Sequence, residues 1–180
     1  IRDSYETAAL VAGGHTFGKS HGAASESFKG PDPEASRLQD QSTGWNSGYK
    51  SGKGVDTISS GIEGAWTQNP IQWDMGYLDC LYGHEWELTK SPAGAHQWTP
   101  KKNGQEIKMV PDAHQKGVLH PPMMQTTDIS MKVDPSYGPI TKHFHQNPKE
   151  FHDAFARAWF KLTHSCLLYT SDAADDMASV

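Results

Sequence analysis

Aliphatic residues are scarce in this chain, and their scarcity limits the kind of core it can build. Leucine, isoleucine, valine and phenylalanine account for 28 of the 180 residues, roughly 16%, below the ~20% at which a sequence begins to resemble a disordered one. A net charge of only −5, together with six residues each of Trp, Tyr and Phe, argues against a solvated coil. With 17 glycines and 11 prolines, the composition indicates one loop-rich domain that relies on a cofactor or on further chain for packing.

Composition also excludes several classes of protein. No apolar run approaches the roughly 18 residues that a transmembrane helix needs. The pI near 6.0 gives no electrostatic reason to bind nucleic acid. Cys80 and Cys166 are too few for a disulfide framework or a cysteine-based zinc site. The segment beginning at Ile1 lacks a signal-peptide pattern, so we expect a cytoplasmic protein without membrane or nucleic-acid partners.

The pattern of apolar residues, glycines and prolines predicts a mainly α fold with long loops and little strand. Asp3 and Glu6 resemble a capping box that opens a first helix, and Gly13 and Gly14 end it. Glycines and prolines over residues 22–57 and 92–122 predict two long loops. Helical spacing predicts four further helices, over Thr57–Thr67, Met75–Trp86 with a break at Gly83, a short stretch opened by Thr126, and Pro148–His164.

The last of these helices is the clearest, and the chain changes character after it. The segment His143–His145 precedes the helix and is interpreted as an exposed turn, not a metal-binding pair; Cys80 and His164 are interpreted as structural. Residues 165–180 are small and acidic, which predicts that the helix is interrupted there. The apolar stripe of the helix consists of Phe151, Phe155, Ala158, Trp159 and Leu162.

One motif near the N-terminus allows two interpretations. Residues Gly13–Ser20 match the phosphate-binding pattern G-x-x-x-x-G-K-S/T, although that loop requires a strand before it and a long helix after it, and Gly22 interrupts the chain here. Alternatively, His15 is an axial ligand of haem iron, for which a second residue must hold its other ring nitrogen. Taken alone, His15 more often caps or packs, Asp128 caps a helix, and Trp66 is core.

The same segment, extended to Gly22, strongly resembles the proximal-histidine region of the catalase-peroxidases, haem enzymes of class I of the plant-type peroxidase superfamily. The resemblance extends from about Glu6 to His164. It also rests on Trp45, Ser59–Glu63, Trp66–Thr67, Tyr82–Ala95, Thr126–Asp128, Asp134–Pro135 and Phe155–His164. Residues 165–180 depart from the family and resemble a translated sequencing adapter, so residues 1–164 are expected to be a partial haem peroxidase domain, its proximal half.

The resemblance implies a role for each matching residue. His15 would bind the haem iron, Asp128 would accept the imidazole N–H, and Trp66 would pack beside His15, donate to the same carboxylate and serve as a radical site. The second serine of the Ser59–Ser60 pair would line the haem access channel. The residues expected to lie close to the porphyrin are Phe17, Gly18, Lys19 and His21.

The function implied is that of a bifunctional catalase and broad-specificity peroxidase, which breaks down hydrogen peroxide and oxidises small organic donors. The cofactor would be haem b, since a C-x-x-C-H attachment motif is absent. The family's distal Arg, Trp and His are expected upstream of Ile1, so this chain alone is predicted to be inactive; the intact family forms homodimers. The alternatives are a non-enzymatic haem-binding module and, third, a phosphate-loop nucleotide-binding protein using Gly13–Ser20.

Overall fold

Helices and irregular loops make up most of the structure, a computed structural model that describes residues 3–22, 24–40, 44–58, 60–102 and 107–177, with side chains to residue 164. Two compact units are distinguished, one of residues 1–14 with 130–180 and one of residues 15–129. The helices are α1 Ser4–Gly14, α2 Gly76–Gly83, α3 Thr126–Val133, α4 Gly138–Gln146 and α5 Pro148–Met177; the strands are β1 Trp86–Lys90, β2 His96–Pro100, β3 Val110–Pro111 and β4 Leu119–His120. The predicted mainly helical, loop-rich class is confirmed.

The first unit is a small helical cluster in which α1 packs against α4 and α5. The predicted cap at the start of α1 is present: the Glu6 backbone N–H donates to Asp3 Oδ1 at 2.7 Å. Small side chains, including Ala8 and Ala12, are buried on α1 and allow a close approach. The helix ends at Gly14, as its glycine pair predicted.

Helix α4 corrects the prediction of an exposed turn at His143–His145. Gly138 and Pro139 begin a helix there, with proline in its first turn, where the missing N–H costs nothing. Phe144 is fully buried, its ring 4.7 Å from that of Tyr5, while the His143 side chain remains exposed. Burial of Phe144 therefore stabilises α4, although the histidine-rich composition of the segment does not indicate a packed helix.

Helix α5 is longer and less buried than predicted. Its backbone continues to Met177, because the residues after His164 include leucines and alanines and neither proline nor glycine interrupts them. Phe151 and Ala158 are buried, but Trp159 is 51% exposed. Only part of the predicted stripe faces the core of this unit, and the domain boundary at residue 164 stays a prediction.

In the second unit the long loop over residues 22–57 is confirmed: its described residues form turns, isolated bridges and three short 3₁₀ helices. The helix predicted over Thr57–Thr67 is wrong. Ile58 and Gly64 make antiparallel bridges to Gly22 and Ser20. Gly61 and Gly64 adopt positive φ angles of 76° and 128°, which a right-handed helix does not contain. The i, i+4 spacing of apolar residues in this segment therefore matches helical periodicity only by chance.

Two short ladders amend the prediction of a continuous loop over residues 92–122. Strands β1 and β2 pair antiparallel, with Trp86 opposite Pro100 and Lys90 opposite His96. A second small ladder joins β3 and β4, so residues 92–122 are not entirely loop. Each ladder consists of two short strands, so the sequence contains too few strand residues to show a clear alternation of apolar and polar side chains.

Within the described residues, no helix is both long and apolar enough to cross a membrane.

Candidate functional site

The second unit contains a buried carboxylate that accepts four hydrogen bonds. Asp128 is fully buried. Its Oδ1 lies 2.7 Å from His15 Nδ1 and accepts from the Tyr77 hydroxyl at 2.8 Å. Its Oδ2 accepts from Trp66 Nε1 at 2.8 Å and from the Gln125 backbone N–H at 2.7 Å. An ionised carboxylate offers about four acceptor positions, so each oxygen of Asp128 is saturated.

The start of α3 orients this carboxylate. Gln125 occupies the cap position and Asp128 the third helical position, from which its side chain reaches back to the Gln125 N–H. This is one half of a capping box, and it places negative charge at the positive end of the helix. Asp128 therefore lies in the first turn of the helix that the sequence predicts to open at Thr126, and its capping interaction coexists with the hydrogen bond to His15.

Backbone hydrogen bonds bring Trp66 and Asp128 together across 62 residues of chain. Met123 N–H donates to the carbonyl of Ala65, the residue before Trp66, at 2.9 Å. Met124 exchanges two hydrogen bonds with Trp98 on β2, at 2.7 and 3.0 Å. The segment leading into α3 is thus held between the hairpin and the irregular strand-like segment that carries Trp66.

His15 is held on three sides. Its ring stacks on the Trp66 indole, with centroids 4.1 Å apart and planes inclined by 14°. The Tyr77 ring meets it edge-on at 5.7 Å.

Because a carboxylate only accepts, the hydrogen bond to Asp128 places the imidazole proton of His15 on Nδ1. The side chain is 26% exposed, and no described residue hydrogen-bonds Nε2, so that nitrogen offers its lone pair to a ligand.

This arrangement fits a haem iron. A ligating histidine in proteins almost always donates its other ring N–H to a carboxylate, carbonyl or water, which fixes the tautomer and raises the basicity of the ligand. His15 and Asp128 form such a pair within the described structure. Trp66 is buried, as its core interpretation required, and also donates to the carboxylate.

The other predicted site residues lie elsewhere in the unit. Phe17 is 46% exposed. Gly18, Lys19 and His21 line a cavity of about 1010 Å³ whose described lining does not include His15. Ser60 is exposed and borders a smaller cavity of about 200 Å³, while its neighbour Ser59 lies outside the described residues. The structure thus unites His15, Trp66 and Asp128, and does not bring these five against the imidazole.

Lys19 and His21 share a partner. Glu63 accepts from Lys19 Nζ at 2.6 Å and from the Gly22 N–H at 2.7 Å, and its Oε2 lies 3.9 Å from His21 Nδ1. Burial and the nearby charge of Lys19 lower the pKa of His21 below its ordinary 6.5. Because Lys19 is paired with Glu63 and the pKa of His21 is lowered, this part of the cavity wall has little net charge.

Comparison with known proteins finds relatives over most of the chain. No family model matches the chain. A catalase-peroxidase of Maridesulfovibrio salexigens is 62% identical over 159 residues, 88% of this chain and 22% of that protein. Those of Koribacter versatilis and Acaryochloris marina are 61% identical over 160 residues and 58% identical over 159, covering 88% of this chain and 21% and 22% of theirs.

The chain is a homologue of a segment of the catalase-peroxidases. It spans about a fifth of the length of the curated relatives it matches. The resemblance to the catalase-peroxidases is therefore confirmed over 88% of the chain.

The Gly13–Ser20 motif lacks the surroundings of a phosphate loop. Helix α1 precedes it in the chain, where a strand is required, and no helix longer than three residues appears in the described chain between Gly14 and α2. Lys19, which would contact phosphate, is occupied by Glu63. No observation in the described structure favours nucleotide binding.

Tyr77 is the site residue that sequence reasoning missed. It lies on α2, in the segment for which the sequence predicts a helix but no functional residue. Burial raises the pKa of the Tyr77 hydroxyl well above its ordinary value, and the neighbouring Asp128 charge raises it further. The available signal was general: a buried tyrosine normally finds a partner for its hydroxyl, although the sequence does not say which.

Proposed function

We propose that this chain forms the haem-ligand side of a catalase-peroxidase, with His15 binding the iron of haem b. The protein would break down hydrogen peroxide and oxidise small organic donors with the same cofactor. Support comes from the name shared by the relatives and from the hydrogen-bonded pair of His15 and Asp128. That pair is the single observation on which the proposal depends.

Each residue of the pair has a definite task in this proposal. His15 offers Nε2 to the iron, while Asp128 accepts the hydrogen bond from Nδ1–H and thereby raises the basicity of the ring. Trp66 stacks on the imidazole and limits its rotation. When bound, haem supplies the redox chemistry with peroxide; these side chains hold and polarise its ligand. The sequence lacks a C-x-x-C-H motif, which supports non-covalent haem b.

A hemin titration of the chain tests the assignment of His15. We expect the unaltered chain to shift the Soret band of hemin, and His15→Ala to weaken binding by about tenfold or more, equivalent to about 1.4 kcal/mol or more for the lost ligand bond. His96→Ala is the matched control, because His96 is an exposed histidine on β2. Equal affinity and equal spectra for the unaltered chain and His15→Ala would reject the proposal.

Peroxide turnover is proposed for the whole protein. By the family resemblance, the distal acid–base residues belong to sequence other than this chain, so the hemin-loaded chain should oxidise donors no faster than free hemin. Distal acid–base groups normally contribute a large part of such a rate. Homodimer formation and a cytoplasmic location are further proposals for the whole protein.

A further inference from the structure

Tyr77 shares one oxygen of Asp128 with His15. The Tyr77 hydroxyl and His15 Nδ1 both lie on Oδ1, at 2.8 and 2.7 Å. Trp66 and the Gln125 backbone lie on the other oxygen. Of the side chains that donate to this carboxylate in the described structure, Tyr77 alone competes directly with the imidazole for the same atom.

Competition for one oxygen has an electrostatic consequence. Each donated hydrogen bond draws electron density from the carboxylate, and an oxygen that already accepts one strong bond accepts a second more weakly. Asp128 is fully buried and Tyr77 is 1% exposed, so water does not replace a lost hydroxyl at this oxygen. Removing the Tyr77 hydroxyl would therefore leave Oδ1 to His15 alone and strengthen the remaining bond.

We propose that Tyr77 is a positioning residue that limits how strongly Asp128 polarises His15. Its consequence for haem rests on the proposed function, whereas its consequence for the imidazole does not. With the hydroxyl present, the Nδ1 proton stays on the ring and the ligand keeps intermediate basicity. Without it, the ring gains imidazolate character and donates more strongly to iron.

Two further observations support this role. Tyr77 is 1% exposed and its ring meets His15 edge-on, so the hydroxyl is held in place by packing. Because an ionised carboxylate only accepts, the Tyr77 hydroxyl donates its proton to Oδ1 of Asp128 at 2.8 Å. A tyrosine needed only to fill space would do so equally well as phenylalanine.

Tyr77→Phe tests the proposal, because it removes the hydroxyl and keeps the ring. In the haem-free chain, the Nδ1–H proton resonance of His15 should move downfield. In the hemin-loaded chain, the ferrous iron–histidine stretching frequency should rise and the midpoint potential should fall. Tyr82→Phe is the matched control, since it removes a hydroxyl from the same helix and leaves the four donors to Asp128 in place.

A double variant tests whether the effect passes through the carboxylate. In the Asp128→Asn background, where the ring proton is expected on Nε2, Tyr77→Phe should leave the nitrogen-15 chemical shifts of the His15 ring unchanged. A change as large as the one that Tyr77→Phe causes in the presence of Asp128 would mean that Tyr77 acts by another route and would overturn the proposal. An unmoved His15 resonance in folded Tyr77→Phe would overturn the proposal. A moved resonance in a chain that binds no hemin would leave the proposal standing and reject the proposed function instead.

Discussion

Asp128→Asn is the substitution that examines the site most directly, because it keeps the shape of the side chain and changes one oxygen into an NH₂ group. Trp66 and the Gln125 N–H only donate, so the amide oxygen must face them. The NH₂ group then faces His15 and Tyr77. The Tyr77 hydroxyl can turn to accept, but His15 accepts on Nδ1 only if its proton moves to Nε2.

That tautomer is the wrong one for a ligand. A proton on Nε2 occupies the lone pair that the iron requires, so hemin binding must first reverse the tautomer and leave the new amide donor without an acceptor. An unsatisfied buried polar group costs about 1–3 kcal/mol. Hemin binding should therefore weaken by about 5- to 150-fold, the range in which the loss of such an outer partner of a metal ligand generally falls.

Two measurements separate this explanation from general damage to the fold. Nitrogen-15 chemical shifts of His15 should show the proton on Nδ1 in the unaltered chain and on Nε2 in Asp128→Asn. Hemin titration should show the loss of affinity in the same sample. Asp153→Asn makes the same chemical change on the exposed side of α5 and should alter neither. An Asp128→Asn chain that keeps the Nδ1 proton and binds hemin normally would refute the reasoning.

Two more predictions concern stability. A Cβ atom at Gly13 would lie 2.6 Å from Cγ of Phe155, so Gly13→Ala should destabilise the chain by about 1–3 kcal/mol. A Cβ atom at Gly14 meets no atom within 4 Å, so Gly14→Ala should stabilise α1 by about 0.5–1 kcal/mol. Urea unfolding measures both changes in the free energy of unfolding, and equal effects would contradict the packing of α1 on α5. Burial and the charge of Lys19 lower the pKa of His21 in the folded chain, so the unfolded chain binds this proton more tightly. The free energy of unfolding should therefore fall as the pH drops below about 6.5. His21→Gln should flatten that part of the plot of unfolding free energy against pH, and an unchanged slope would refute the assignment.

Local signals in the sequence predicted the elements that are determined locally. The Asp3 cap and the glycine pair located α1, and Gly83 located the end of α2, because capping groups and glycines act within one turn. Thr57–Thr67 failed for the opposite reason. Its conformation is set by bridges from Ile58 and Gly64 to residues about 40 positions earlier, which a spacing rule does not contain.

The site shows the same limit more sharply. His15 and Asp128 are 113 residues apart, and no periodicity relates them. Their association, with Trp66, was predicted from the family resemblance alone. Tyr77 was outside that resemblance, and its hydroxyl reaches Asp128 across 51 residues of chain, a contact that no local signal in the sequence indicates.

Asp128 links the folding of a helix to the chemistry proposed for the imidazole. The interpretation of an isolated Asp128 as a helix-start residue and its interpretation as the partner of a ligand do not compete, since its two oxygens face different groups. Oδ2 accepts the Gln125 backbone N–H, a donor that no side-chain substitution other than proline removes. Oδ1 is thereby aimed at His15 by the first turn of α3 itself. A carboxylate anchored by backbone cannot follow a displaced imidazole, so the orientation of His15 depends on the integrity of this turn as much as on the residues that touch its ring.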